Sequence, residues 1–248
     1  GVSRLRQRGN AVLAGNVTLV NRRPSARRPY ELSPSQLRQS FAQKGWSRVV
    51  GFHTRNVCHR AHEYIQLKAL EMTNADGLFI NPITGPKKAG DFVSRPIMKS
   101  YQVLFDQGDI YPADKIALGS FSTYPRYAGP REAVFTALCR KNLGCSHFII
   151  GRDHTGTGNF YEQDANQKLV EQLGSIGIEL VFFNAVGYLL EENRYAFPEE
   201  GGNLTSISGT KVRQALRSGQ TLPDWFIRDP VQAMLRDEIA AGREIFVP

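Results

Sequence analysis

The sequence predicts an α/β fold: a parallel sheet with helices on both faces. Three observations carry that reading. Short apolar, β-rich runs alternate with helical stretches of about 12 residues. The apolar positions in those stretches recur at helical spacing. The composition is that of a folded chain, with 248 residues, 41% hydrophobic, 10% aromatic and 22% charged. These values exclude disordered, collagen-like and low-complexity classes.

The elements follow in order. Residues 10–20 (NAVLAGNVTLV) read as one or two short strands, and residues 21–35, with three prolines, as a connection. Ser33 or Ser35 caps a helix through SQLRQSFAQKG, which Gly45 ends. SRVVGF is a β-rich run, HRAHEYIQLKALEMT a helix and GLFINP a strand. KKAGDFVSRPIMKSYQVLFDQG carries the next helix, and KIALGSF is a strand. PREAVFTALCRKNLG has proline in its first turn and glycine at its end, as a helix prefers. SHFIIG, NQKLVEQLGSIG and IELVFFN continue as strand, helix, strand. The tail from about residue 205 reads as two or three short helices without strands. The expected organisation is an N-terminal segment 1–35, an α/β catalytic domain 36–204 and a C-terminal helical subdomain 205–248. In such folds ligands bind at the carboxyl ends of the strands.

Charge and cysteines narrow the function classes. The net charge is +8, but residues 1–30 hold seven arginines and no acid, so the remainder is nearly neutral. That segment reads as a solvated connection, with a nucleic-acid arm as the alternative. No aromatic residue stands among its arginines to stack a base. No run of about 18 apolar residues occurs, so no membrane helix is expected. The start has no signal-peptide core and no initiator Met, which points to a trimmed chain or a piece of a longer one. Cys58, Cys139 and Cys145 show no C-x-x-C spacing, so no bound zinc is expected. Reduced thiols without export signals point to the cytoplasm.

Four of the five histidines fall at predicted strand ends. His59 and His62 sit three residues apart in the first turn of a helix, so their rings share one face. A helix start, with open amides and the positive end of the dipole, suits phosphate. Two imidazoles there can donate hydrogen bonds to charge developing in a transition state. Arg55 adds a planar fork for a tetrahedral oxyanion, and Asn56 an amide donor. Two alternatives stand beside this: an ordinary structural role, and a metal pair. Zinc proteases space their histidines at i and i+4 as H-E-x-x-H, whereas here the spacing is i, i+3 and Glu63 follows the second histidine. A second cluster, IIGRDHTGTGNF, puts Arg152, Asp153 and His154 at a strand end before Gly156 and Gly158, a turn that lets backbone N–H groups approach phosphate. In ISGTKVRQALRSG, Ser208 caps a helix with Lys211 and Arg213 near its start. This is either a solvated helix or a cationic clamp over a triphosphate.

Together these segments resemble the catalytic domain of the ATP sulfurylase (sulfate adenylyltransferase) family. HTRNVCHRAH matches that family's Q-T-R-N and H-x-x-H motifs except at its first residue. YAGPREA (127–133), GRDHTG from Gly151, ISGTKVR (207–213), LPDWF and DPV are also family-like, and the resemblance runs from about residue 12 to the end. It implies a Rossmann-like nucleotidylyltransferase fold. It implies direct in-line attack of sulfate on the α-phosphorus of ATP, giving adenylyl sulfate and pyrophosphate, with Mg²⁺ accompanying the triphosphate. His59 and His62 would hold phosphate oxygens, and Arg55 and Arg152 the oxyanion. Asn56, Gly151, Asp153, His154, Gly156, Gly158, Ser208, Lys211 and Arg213 would seat the nucleotide. The family also forms homo-oligomers and has adenylylsulfate kinase as a fused or partner domain; neither is legible here.

Three departures stand out. The family's N-terminal barrel-like domain is missing apart from a remnant in residues 1–30. The zinc-binding cysteine cluster of some relatives is absent. In the oxyanion pocket, His53 replaces a Gln and Thr155 an Ala. A protonated His53 would favour a more negative oxyanion. The alternative expectation is therefore a nucleotidyltransferase activating a phosphonate or phosphate ester, with CTP as one nucleotide to consider.

Overall fold

A computed structural model of the chain describes residues 10, 11, 13–21, 28–151, 154, 160–162 and 164–248. The helices are α1 (Pro34–Gln43), α2 (Arg60–Met72), α3 (Ser94–Gln107), α4 (Pro130–Leu143), α5 (Ala165–Leu173), α6 (Gly209–Arg217) and α7 (Asp229–Ala240). The strands are β1 (Val49–Phe52), β2 (Gly77–Ile80), β3 (Ile116–Leu118), β4 (His147–Ile150), β5 (Glu179–Phe182), β6 (Gly187–Leu189), β7 (Arg194–Ala196) and β8 (Leu204–Ser206).

The first five strands form one parallel sheet in the order β3-β2-β1-β4-β5. The chain runs outward from β1 to β3, then returns to place β4 on the other side of β1. The strand order thus reverses between β1 and β4, and a crevice opens there at their carboxyl ends.

Side chains alternate between two layers, as the period of a strand requires. Val50, Leu78, Ile80 and Ile149 join a buried cluster with Ile97, Tyr101 and Leu104 of α3 and Val231 and Leu235 of α7. Val49, Phe79, Phe148 and Ile150 join the opposite cluster with Leu37 and Phe41 of α1 and Ala133 and Ala137 of α4. All four residues of β1, β2 and β4 are buried. Continuous apolar runs rather than alternating ones are the mark of strands covered on both faces.

Local signals account for the helix ends. Ser33 caps α1 in a capping box with Gln36. Pro130 starts α4, and Gly144, at φ +104°, closes it in a left-handed cap. Gly77 lies against the Trp46 ring, where a Cβ would come within 2.2 Å, so β2 reaches its register only with glycine there.

Two expected features differ. The described part of 10–20 forms no strand, and Leu13, Val17 and Val20 are exposed. Residues 187–206 form a small antiparallel sheet, β7-β6-β8, and β8 runs into the segment read as purely helical. Each of these strands is only three residues long, too short for a period to show. Phe226, Ile227, Val231 and Leu235 share one buried cluster with Val50 and Leu78, so the tail's helices complete the main core. The arginines at 4, 6, 8, 22, 23 and 27 lie outside the described residues. No helix among the described residues is long and apolar enough to cross a membrane.

Candidate functional site

The crevice between β1 and β4 widens into a cleft of about 270 Å³. His53, Arg55, Asn56, His62, Gly151, His154 and Arg213 line it, together with Gly209 and Thr210. Residues far apart in sequence meet there because β1, β4 and α6 all end or begin at this point.

His59 caps α2 in an extended conformation, and its side chain makes no capping bond. Its ring stacks on that of His62, with centroids 3.7 Å apart and planes at 18°. His62 lines the cleft, half-buried, and His59 backs it, buried against the start of the helix. Burial pushes the His59 imidazole down to about 4 and holds His62 well below its usual value, with the neighbouring ring adding to the effect. Both rings are therefore neutral near pH 7. Nδ1 of each is buried without a hydrogen-bond partner, which marks a place for a ligand's acceptor oxygens.

The helix start is less open than a bare N-terminus. The Arg60 N–H donates to the Phe226 carbonyl at 3.1 Å, and those of His62 and Glu63 donate to His59 at 2.8 and 3.2 Å. Three of the amides at the start of α2 are thus already paired.

Arg55 is aimed by Asp91 and Tyr127. Its Nε lies 3.8 Å from the buried Asp91 carboxylate, and its guanidinium sits 5.1 Å from the centre of the Tyr127 ring. The Tyr127 hydroxyl donates to Asp91 at 3.1 Å. Tyr127 has a φ of +54°, uncommon for a residue with a side chain. Buried Glu132 holds that turn by accepting from the N–H groups of Arg126 and Ala128 at 2.8 and 3.0 Å.

The start of α6 closes the other side. Arg213 donates to Asn56 Oδ1 at 2.9 Å and to Thr210 Oγ1 at 3.1 Å. Gly209 lies so close to Asn56 that a Cβ would come within 2.8 Å of its amide carbon. Gly209 and Thr210 bring the positive end of the α6 dipole to the cleft. Ser208 stays behind as the cap, accepting from the Lys211 N–H at 3.3 Å. Lys211 does not line the cleft; its Nζ donates to the Ser206 carbonyl at 3.1 Å.

His53 stands at the cleft floor. Its Nδ1 accepts from Arg140 Nη2 at 2.8 Å. Burial, then the charge of Arg140, hold its imidazole well below the usual value. The protonated His53 weighed from sequence is therefore disfavoured in the free protein. His154 bonds Thr136 Oγ1 at 2.9 Å and is pushed down to about 3 by burial. Arg152, Asp153, Thr155, Gly156 and Gly158 lie outside the described residues.

Sequence reasoning missed Asp91, Thr210 and Arg140 as parts of the site and Gly209 as a contact. Arg140 reads as an ordinary basic residue in the last turn of a helix, and Asp91 as part of a connection. Only the YAGPREA segment flagged the neighbourhood of Tyr127.

Comparisons with known proteins give the family. The ATP-sulfurylase family model matches residues 28–238. The chain belongs to the ATP-sulfurylase family. It is 42% identical over 245 residues to the sulfate adenylyltransferase of Synechococcus sp. strain JA-3-3Ab, covering 96% of this chain and 61% of that protein. It is 39% identical over 240 residues to the sulfate adenylyltransferase of Pyrococcus abyssi, covering 95% of this chain and 62% of that one. The chain thus spans about three-fifths of the length of these curated relatives. Among solved structures it is similar to the hexameric APS kinase from Thiobacillus denitrificans, with a TM-score of 0.70 and 22% identity over 88% of this chain and 41% of that one. That likeness bears on the fold: the parallel α/β architecture is shared.

A metal site is a separate matter. Among the described residues no group of three or more His, Cys, Asp or Glu side chains converges. The carboxylate of Asp91 is engaged by Arg55, Arg213 and Tyr127. These residues do not fit a resident cation.

Proposed function

We propose that this chain carries the catalytic site of an ATP sulfurylase. A sulfate oxygen attacks the α-phosphorus of ATP. The bond from that phosphorus to the bridging oxygen breaks, and pyrophosphate leaves in line with the electron pair. Adenylyl sulfate is the other product. Sulfate is already ionised, so no general base is required, and the task is positioning and charge stabilisation.

The single observation that carries this reading is the stacked, neutral His59–His62 pair at the β1/β4 switch point, with Arg55 beside it. His62, backed by His59, would donate to phosphate oxygens as charge builds on them. Arg55 and Arg152 would hold the sulfate. Asn56, Gly151, His154 and Arg213 would seat the nucleotide with the start of α6, and Asp153 and the 156–158 turn would complete that seat. ATP would enter as its Mg²⁺ complex, the cation travelling with the phosphates as part of the substrate. A neutral His53 can donate a hydrogen bond, as the Gln it replaces can, and carries no added charge to favour the more negative acceptors. We place the protein in the cytoplasm, where ATP is supplied. Assembly into oligomers, and an adenylylsulfate kinase consuming the product, belong to the same proposal.

The test is pyrophosphate release with Mg²⁺ across ATP, CTP, GTP and UTP, each paired with sulfate, phosphate and a small phosphonate panel. Release with ATP and sulfate alone is expected. Release only with another acceptor or nucleotide would overturn the reading and make His53 and Thr155 the specificity switch.

A further inference from the structure

Arg140 lies behind the cleft wall, fully buried in α4. Among the described residues it has no carboxylate partner. Its Nη2 donates to His53 Nδ1 and to the Asn81 carbonyl, each at 2.8 Å. Nε and Nη1 have no hydrogen-bond partner. The guanidinium lies 4.2 Å from the centre of the Phe121 ring and 5.5 Å from that of Phe148. Gly51 of β1 makes room for its stem: a Cβ there would come within 3.2 Å of Arg140 Cγ. A buried cation without a counter-ion is costly, and a plain core would have used an apolar residue here.

The chemistry of the contact is one-sided. A guanidinium has donors and no acceptor, so His53 Nδ1 must offer its lone pair. A neutral imidazole so held carries its proton on Nε2. Protonating Nδ1 would set two donors and two positive charges against each other. The other groups around His53 push the same way. His154 lies with its ring centre 5.2 Å away, and Arg55 adds a second positive charge. The Phe148 ring, 6.5 Å away between centroids, is apolar.

We propose that Arg140 is a positioning residue that fixes His53 as a neutral Nε2–H donor, so that His53 gives a hydrogen bond to an oxyanion in the cleft and accepts none. An oxygen carrying its own proton finds no acceptor at that ring. The acceptor class is a tetrahedral oxyanion whose facing oxygen is unprotonated, with the Arg140 charge behind the contact. The tautomer stands on the geometry alone; its use in oxyanion recognition rests on the sulfurylase reading.

The test is a ¹H–¹⁵N correlation spectrum of the histidine rings in the ligand-free chain, with His53 assigned by the signal lost in His53→Gln. From pH about 5.5 to about 8, His53 should show the Nε2–H tautomer alone with no titration step. Arg140→Gln keeps a donor opposite Nδ1 and should retain that tautomer. Arg140→Met should give a tautomer mixture, raise the sulfate KM by about tenfold and leave the ATP KM within about twofold. An Nδ1–H tautomer or a titration of His53 in the wild-type chain would overturn the proposal. So would an unchanged tautomer in Arg140→Met. If that variant does not fold, the wild-type and Arg140→Gln spectra decide the matter. If the chain lacks activity with ATP and sulfate, the sulfurylase reading fails while the spectra still decide the tautomer.

Discussion

At the scale of single residues, the proposed mechanism separates groups that bind from groups that stabilise charge. His62 presents an imidazole to the cleft from a half-buried, stacked position. A donor that strengthens only as charge develops acts on turnover more than on binding. His62→Ala should leave nucleotide affinity within about tenfold and cut kcat by about 100-fold or more, the scale for losing one such donor. Single-turnover rates and nucleotide titration check this, and wild-type turnover would remove the histidine pair from the mechanism. Arg55 is held by Asp91 and Tyr127 with its fork at the cleft. Losing a charge-assisted contact to a bound anion costs about 1.5–3 kcal/mol, so Arg55→Ala should raise the sulfate KM roughly 10- to 150-fold. Steady-state kinetics at saturating ATP measure it, and an unchanged KM would place the nucleophile elsewhere.

At the scale of elements, the site depends on how closely α6 approaches the end of β1. Gly209 permits that approach, since a Cβ would press to 2.8 Å from the Asn56 amide. The backbone there needs no positive φ, so alanine is tolerated by conformation and opposed only by contact. Gly209→Ala should push the start of α6 away and loosen the Arg213–Asn56 hydrogen bond. Overpacking of this kind typically costs about 1–3 kcal/mol. The expected result is a KM for ATP raised about tenfold with a smaller loss of stability. A crystal structure of the variant with the 2.9 Å Arg213–Asn56 bond intact would contradict that account. Glu63 sets a second constraint on α2, since its buried carboxylate accepts from Arg228 Nε at 2.8 Å and ties the histidine-bearing turn to the start of α7.

At the scale of the whole molecule, burying several imidazoles makes stability depend on pH. His53, His59, His62 and His154 all have folded-state values below the ordinary 6.5. Between pH about 6.5 and about 4 the unfolded chain therefore binds more protons than the folded one. Stability rises with pH through that window and levels off above it. For His59, lowered from 6.5 to about 4, the loss at acid pH is roughly 3 kcal/mol. Glu238 adds a later step. Arg243 and Lys99 hold its carboxyl down to about 2 from an ordinary 4.5, so its contribution is present above 4.5 and is lost as pH falls towards 2. Urea midpoints should be flat from pH about 8 to about 7 and fall steadily from about 6.5 to about 4.5, before any Glu238 effect. A midpoint constant down to pH about 4.5 would mean that these rings are not buried neutral in solution.

What the sequence determined by itself is the alternation of strands and helices, a serine cap at 33 or 35 that the structure places at Ser33, the ends at Pro130 and Gly144, and the identity of the histidine turn. These rest on local physics: the period of side-chain burial, the hydrogen bonds of helix ends, and the spacing of two rings on one helical turn. The three-residue strands β6, β7 and β8 are shorter than any pattern of that kind, so they were not legible. Tertiary structure alone decided which strand end meets which. Arg140 lies 87 positions from His53 and Arg213 lies 157 from Asn56, yet each pair shares a hydrogen bond. It also sets what His53 can present to the cleft, because the contact at its Nδ1 comes from Arg140 of α4. Local pattern reports what a residue presents along its own element. The field and the partners around that residue are set by whatever the chain's return across the sheet brings to β1.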